Sequence, residues 1–407
     1  MAAAAVACSN PDWSDLPTDL LTNIVQLLDL DLPGAYAFAS VCSSWSSAAF
    51  AAGIPPLRTP WLMSWEPSLK PSSSAVTCEF RRLLDVDKVY KVSFPEGSFV
   101  TCCGASNGWL VVVDELCNLS LRNPFTSRTI PLPPVTDFPC VEAVRDGHGN
   151  ITSYHLTSRS GPYTEAQLYD AHHLATFFYR KAVLSGDPSG GGDYSVTIIH
   201  FGGAWVSHVR AGDARWQVLA PDISKNWRSN RCPGDTYADC AYHDGRVYAV
   251  SYWGYVERWR MDDAGTPSTA EPEVRGVWEP GRPAYPDAVK FTFCVVDDDA
   301  ARSKKEEEAD EQDSVQAHAL FLGLNQSAFL PAKSFLGASP GVLYFSAPWM
   351  RQHSPDQLER VGDWGGARTY DLKTRTRTFD RVFPGLLPAS ARLRDCPTEV
   401  WITPNLY

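Results

Sequence analysis

Three glycines each launch a short run of apolar and β-branched residues: Gly108-Trp-Leu-Val-Val-Val, Gly245-Arg-Val-Tyr-Ala-Val and Gly341-Val-Leu-Tyr-Phe-Ser. Each run is followed by a second that ends in polar turn residues: Asn118-Leu-Ser-Leu-Arg-Asn-Pro, Tyr255-Val-Glu-Arg-Trp-Arg-Met-Asp and Ala367-Arg-Thr-Tyr-Asp-Leu-Lys-Thr. Short β-rich runs bounded by Gly, Pro, Asn and Asp are strand signals. The glycines stand 137 and 96 residues apart, near three and two multiples of a ~46–48-residue period, within the ~40–50 residues of a propeller blade. Ser195-Val-Thr-Ile-Ile-His-Phe, Lys290-Phe-Thr-Phe-Cys-Val-Val and Ala319-Leu-Phe-Leu-Gly-Leu supply strands between them. After about residue 75 no long helical period appears, so the region reads as all-β, with six or seven blades or, alternatively, a pair of sandwiches or an irregular β domain.

The first fifty residues differ. Leu16, Leu20, Ile24, Leu27 and Leu28 recur at spacings of three and four, which is one apolar helix face. Pro17 suits a first turn, and Asp15 and Asp19 lie near the positive end of the helix dipole. A second start at Asp31-Leu32-Pro33 leads through Tyr36, Ala39, Val41, Cys42 and Trp45 to Phe50. Two or three short helices bury little surface by themselves, so such a module needs a partner or a neighbouring domain. Between the two regions, residues 53–74 contain Pro55, Pro56, Pro60, Pro67 and Pro71 and read as a semi-rigid spacer.

Charge and cysteine usage narrow the function classes. Net charge is −11, and residues 297–313 alone hold nine acids against three bases. The acidity is therefore local, a solvated insertion at 297–314, and general affinity for nucleic acid is not expected. No apolar stretch approaches the ~20 residues needed to cross a bilayer, and Met1 to Asn10 lacks the positive charge of a secretory leader. That ten-residue start reads as disordered. Eleven cysteines without a C-x-x-C pair suggest reduced, buried thiols and an intracellular chain, in cytoplasm, nucleus or both. The sequons at Asn118, Asn150 and Asn325 are then chance matches.

Several motifs invite chemistry but read as structural. Gly104-Ala-Ser106-Asn-Gly108 and Gly337-Ala-Ser339-Pro-Gly341 match the nucleophile elbow, but a strand rather than a helix follows each serine, so both read as tight turns. His172-His173, read as strand residues, would point to opposite faces and hold no metal together. Gly186-Asp-Pro-Ser-Gly-Gly-Gly-Asp193 lacks the Lys-Ser/Thr of a phosphate loop and reads as a flexible hairpin tip. Arg375, Arg377 and Arg381 read as the exposed face of an outer strand, and Trp227, Arg228, Arg231, Trp253, Tyr255, Trp349 and Arg351 as rim residues of the kind that anchor partners. No cofactor, metal or catalytic residue is expected.

Leu16-Pro17-x-Asp19-Leu20-Leu21-x-x-Ile24 followed by Val41-Cys42-Ser43-Ser44-Trp45 resembles the F-box. Gly104-Ala-Ser-Asn-Gly-Trp-Leu, Leu121-Arg-Asn-Pro-Phe-Thr and Val400-Trp-Ile-Thr-Pro-Asn-Leu are similar to plant F-box proteins with a C-terminal KIB-type β-propeller. The resemblance implies a small all-α F-box at 11–52 and an all-β propeller at 75–407. It also implies a non-catalytic adaptor role in a ubiquitin ligase: a Skp-type adaptor, and through it a cullin, on one side, and an unidentified protein substrate on the other. By position it assigns the adaptor contact to Leu16, Pro17, Leu20, Leu21, Ile24, Leu27 and Leu28, with Val41, Cys42 and Trp45 holding the helices or extending the contact. Gly34-Ala-Tyr-Ala-Phe-Ala39 departs from the bulkier residues of relatives, which implies weaker docking by the second helix. A scaffold without ubiquitin transfer and a propeller enzyme with paired carboxylates are the rival readings.

Overall fold

The computed structural model describes residues 13–27, 32–39, 41–52, 60–66, 71, 74–83, 85–157, 166–220, 236–251, 255–261, 275–276, 317–334, 338–346, 368–371 and 399–403. It is mostly β, with a small helical module at one end of the sequence.

The module consists of a 3-10 turn at Trp13–Asp15 and helices α1 (Thr18–Leu27), α2 (Leu32–Ala39) and α3 (Ser43–Ala51). Its core is Leu21, Val25, Phe38, Ala48 and Ala49, flanked by Leu16, Ile24, Ala39, Trp45 and Ala52. Phe38 and Trp45 pack with ring centroids 4.4 Å apart. The Leu21 amide donates to the Pro17 carbonyl at 3.1 Å, so the first turn of α1 closes on the residue that has no N–H to lose. The Trp45 indole donates to the Trp13 carbonyl at 2.9 Å and the Ser44 hydroxyl to the Ser14 carbonyl at 3.0 Å, which clasp the 3-10 turn to the start of α3.

The β region forms six sheets among the described residues. The first joins the two ends of the β region: β23 (Glu399–Ile402), β1 (Trp61–Ser64), β2 (Val76–Arg82) and β3 (Asp85–Phe94), in that order. Trp61 faces Ile402 and Ser64 faces Glu399 across an antiparallel ladder, while Trp61 faces Arg82 on the other side. This corrects the spacer reading of 53–74. Trp61, Leu62 and Met63 are buried strand residues that close the fold, so the proline-rich stretch is interrupted by structure. Pro60 sits at the strand's start, where a missing N–H is tolerated.

The remaining sheets follow the chain. The second holds β4 (Thr101–Ser106), β5 (Trp109–Val113), β6 (Leu119–Arg122) and β7 (Thr129–Pro131); the third β8 (Val141–Arg145), β9 (Ile151–Thr157) and β10 (Ala166–Asp170). After α4 (Ala171–Phe177) come β11 (Tyr179–Leu184), β12 (Ser195–His200), β13 (Trp205–Arg210) and β14 (Gln217–Ala220), then β15 (Tyr237–His243), β16 (Arg246–Ser251), β17 (Tyr255–Arg260) and β18 (Arg275–Gly276). The last is ordered β20 (Ala328–Pro331), β19 (His318–Leu322), β21 (Val342–Phe345) and β22 (Arg368–Asp371).

Two of the three glycine-led runs are hairpins of one kind. Asn107 and Gly108 have φ of 52° and 78°, and Asp244 and Gly245 have 46° and 68°. These paired positive values belong to the type I′ turn that matches strand twist and favours Asn-Gly or Asp-Gly. The third differs: Gly341 is also left-handed at φ 70°, but β21 runs parallel to β19 instead of turning back on its predecessor.

The sheets converge through their first strands. β23 lies beside β4, β4 beside β11 and β11 beside β15, an arrangement consistent with a propeller. Contact between β4 and β11 is so close that a Cβ on Gly104 would stand 2.2 Å from the Ala182 carbonyl oxygen. Because these strands touch directly, the third sheet lies outside their row. With α4 it contributes Val141, Tyr154, Leu156 and Leu174 to a core shared with the second and fourth sheets. That placement is why an even ~46–48-residue period does not survive in detail.

Met63 is fully buried between β2 and β23. Met63→Ala is expected to cost about 2–5 kcal/mol, as for other large-to-small core changes, read as a lower denaturant midpoint in equilibrium unfolding.

Candidate functional site

Among the described residues six large apolar side chains are exposed, and four belong to the helical module: Trp13 (63%), Leu20 (51%), Leu27 (84%) and Val41 (55%). The helix explains the division. At 100° per residue, Leu21 and Val25 point into the module's core, while Leu20, Ile24 and Leu27 form an adjacent apolar stripe, with Ile24 at its border with the core. The sequence-assigned contact set is therefore divided in two. Pro17, Leu20, Leu27 and Val41 are exposed; Leu16, Ile24, Cys42 and Trp45 are half-buried; Leu28 lies outside the described residues. Leu21 is a correction, since it is completely buried in the module's own core and presents no surface. Trp13 escaped the sequence reading, although an aromatic just ahead of Ser14-Asp15-Leu16-Pro17 was its available signal.

The centre of the β region offers a contrast. Lys181 on β11 and Asp239 on β15 form an ion pair with both side chains wholly buried. The Tyr237 hydroxyl donates to the buried Glu257 carboxylate, and Glu399 on β23 is also buried. Lys181, Asp239 and Glu399 on these strands, and Glu257 on β17, are thus buried in neighbouring protein. The described cysteines are free thiols. Burial pushes Cys102 up to about 12 and raises Cys78, Cys103, Cys117 and Cys240 above the ordinary thiol range, which leaves them un-ionised and poor nucleophiles.

The remaining motifs are structural. Ser106 ends β4, directly before the hairpin, and its hydroxyl accepts from the Leu184 amide at 3.3 Å. Ser339 is exposed and its amide donates to the Tyr344 hydroxyl; Gly337 lies outside the described residues. His172 and His173 sit on α4, not on a strand: His172 is buried against Glu115, whereas His173 is exposed and its amide is capped by Asp170. No group of three or more His, Cys, Asp or Glu suited to a metal occurs among the described residues. The glycine-rich segment does connect a hairpin, β11 to β12, but it is pinned. The buried Trp109 indole donates to Asp187 and to Ser189, and Asp187 caps the 3-10 turn Pro188–Gly190. The acidic segment at 297–314, the arginines at 375, 377 and 381, and the side chains of the rim candidates Trp227, Arg228, Arg231, Trp253, Tyr255, Trp349 and Arg351 lie outside the described residues. No helix of the described residues is long and apolar enough to cross a membrane.

Two consequences are measurable. Lys181→Met strands the buried Asp239 carboxylate and is expected to destabilise by about 3–5 kcal/mol, whereas replacing both partners with apolar residues of similar volume recovers much of the loss; equilibrium unfolding of the single and double variants checks this. In the fourth sheet, burial pushes His200 down to about 3, and burial partly offset by Asp213 pushes His208 down to about 4. The unfolded chain, whose histidines titrate near ~6.5, takes up these protons first, so stability is full above about pH 6.5 and falls progressively toward pH 4. Denaturant midpoints measured from pH 7 to pH 4 should decline, with a shallower slope in His208→Gln.

Comparison with known proteins agrees with this architecture. The KIB1-4 beta-propeller family model matches residues 80–371. Among curated relatives from Arabidopsis thaliana, F-box protein At2g05970 is 33% identical over 124 residues, 30% of this chain and 32% of the relative. F-box protein At1g10110 is 32% identical over 31% of this chain and 29% of its own length. F-box only protein 7 is 26% identical over 253 residues, 61% of this chain and 58% of the relative. The chain thus spans about a third of the first two and under two thirds of the third. The family match extends over more than two thirds of the chain and takes in strands of all six sheets, and the chain belongs to the KIB1-4 beta-propeller family.

Proposed function

We propose that this chain is the substrate-recognition subunit of a Skp-cullin-F-box ubiquitin ligase, with the helical module at 11–52 as its F-box. The observation that carries this reading is the exposed set Leu20, Leu27, Val41 and Trp13, with half-buried Ile24 between the two leucines, on a module too small to be indifferent to a partner. A Skp-type adaptor covers this stripe and links the chain to a cullin. Leu21 and Val25 hold the helices that present it. The names of the Arabidopsis relatives support the same reading.

The β region serves as a propeller that captures a protein substrate. Lys181, Asp239, Glu257 and Glu399 are buried, and capture is assigned to a rim or side surface; the chain raises the local concentration of substrate lysines without performing chemistry. The module boundary moves accordingly: the propeller begins at β1. Counting the five sheets whose strands meet at the centre or the closing seam, together with the strand read from sequence at 290–296, favours six blades over seven.

Leu20→Asp combined with Leu27→Asp should weaken binding of a recombinant Skp-type adaptor by about 100-fold or more, the loss expected when apolar anchors are replaced by charge. Thermal unfolding should hardly change, since both side chains face solvent. Unchanged affinity in a calorimetric titration would discard the F-box assignment. Ubiquitylation reconstituted with a cullin separates the ligase from a scaffold: products that depend on the propeller support the first.

A further inference from the structure

Strand alternation gives the fifth sheet two unlike faces. Val247 and Ala249 on β16 and Trp259 on β17 pack with Val183, Ile199 and Val206 of the fourth sheet. The residues between them face the other way: Arg246, Tyr248 and Val250 on β16, and Val256, Arg258 and Arg260 on β17. In the antiparallel register Arg246 stands opposite Arg260, Tyr248 opposite Arg258 and Val250 opposite Val256. On its other side Arg246 is opposite His243 of β15. Arg258 and Arg260 are exposed, and Arg246, Tyr248 and His243 are half-buried. The face therefore runs from two valines at one end to a basic group at the other.

That basic group opposes the pairing that creates it. Directly opposite residues of an antiparallel pair have Cβ atoms about 5 Å apart and diagonal ones about 7–8 Å, so Arg246 meets one like charge across the ladder and a second on the diagonal. Like charges so placed destabilise a sheet. Two carboxylates of the same sheet are committed elsewhere: Glu257 accepts from the Tyr237 hydroxyl on the core side, and Asp239 pairs with Lys181. The counter-charge lies in the same chain. Residues 297–313 hold nine acids against three bases, in the connection from β18, which pairs with β17, to β19. Asp297 follows Gly276, the end of β18, by 21 residues, a tether of up to about 70 Å. Arg260 is only four residues along β17 from Val256, or about 13 Å. Such a tether holds the acids at an effective concentration on the order of millimolar, which favours them over a free acidic partner.

We propose that the face formed by Arg246, Tyr248, Arg258 and Arg260 is the docking surface of the chain's own acidic segment at 297–313. The carboxylates offset the opposed arginines, and the contact fastens the fifth sheet to the connection that leads into the sixth. Nothing in the adaptor-binding reading depends on it.

The full-length chain tests this in two ways. Arg258→Lys keeps the charge and puts an amine on the face, which a water-soluble carbodiimide joins as an amide to a carboxylate in direct contact. Mass spectrometry of the digest should find position 258 linked to an acid of 297–313, with the product falling about tenfold at 1 M salt, where the Debye length is about 3 Å. Links from position 258 only to other acids, or none at all, overturn the proposal. Independently, Arg258→Ala combined with Arg260→Ala should speed tryptic cleavage after Arg302, Lys304 and Lys305 about tenfold at low salt, the combined effect of a few exposed ion pairs. Circular dichroism should not change, since both arginines are exposed. Equal cleavage rates in the two chains overturn the contact. So does saturable binding of a polyglutamate peptide to the unaltered chain that the double variant loses, because the face is then open to an external partner.

Discussion

The antiparallel pairing of β1 with β23 is the constraint on which the rest of the β region depends. A row of sheets that touch through their first strands has two ends, and each would present unpaired backbone and an apolar flank. Here Trp61 to Ser64 enters between β23 and β2, so one four-stranded sheet is composed from both extremities of the β region. Leu62 and Trp401 then pack with Phe321 and Tyr344 of the last sheet, while Met63 and Val400 pack with Cys102, Ala105 and Leu110 of the second. One short strand supplies both flanks of the seam with core. The family match at 80–371 includes neither β1 nor β23, although both are needed to complete the sheet in which they meet.

The division of labour between the two regions follows from where apolar surface is left over. Inside the sheets even lysine and aspartate are buried, and they do so only as a pair. The helical module does the reverse, keeping leucines outside that a self-sufficient bundle would cover. Its small helix α2 has few bulky side chains to contribute, so Phe38, packed at a tilt against Trp45, supplies much of the packing there. A module with a modest interior and an apolar exterior is adapted to association.

Much of this was legible in the sequence because the signals were local. The Asn107-Gly108 and Asp244-Gly245 turns, the strands that follow them and the α1 stripe all rest on spacing and turn chemistry within about ten residues. What was not legible was long-range. Trp61-Leu-Met-Ser reads as four residues in a proline-rich stretch, and only a partner more than three hundred residues away makes it a strand. Leu20 and Leu21 are indistinguishable by composition, and their opposite fates depend on where α3 packs. His172 and His173 fall on a helix because the Asp170 side chain caps the His173 amide, a start signal carried by a single residue within a β-rich stretch. The parallel pairing of β19 with β21 was hidden likewise, since Gly341 opens a strand whether the next partner turns back or not.

The seam also imposes an order on synthesis. Trp61 leaves the ribosome early and Ile402 late, so β1 waits for its neighbour while more than three hundred residues are added. At ~5–20 residues per second that interval is of the order of 15–70 s. Throughout it the helical module is already complete, with its leucines uncovered and available, while the sheet beside it still lacks an edge. The apolar stripe of the first helices is therefore in place well before the sheet behind it closes, and until closure β1 and β4 each lack the neighbour that β23 later supplies.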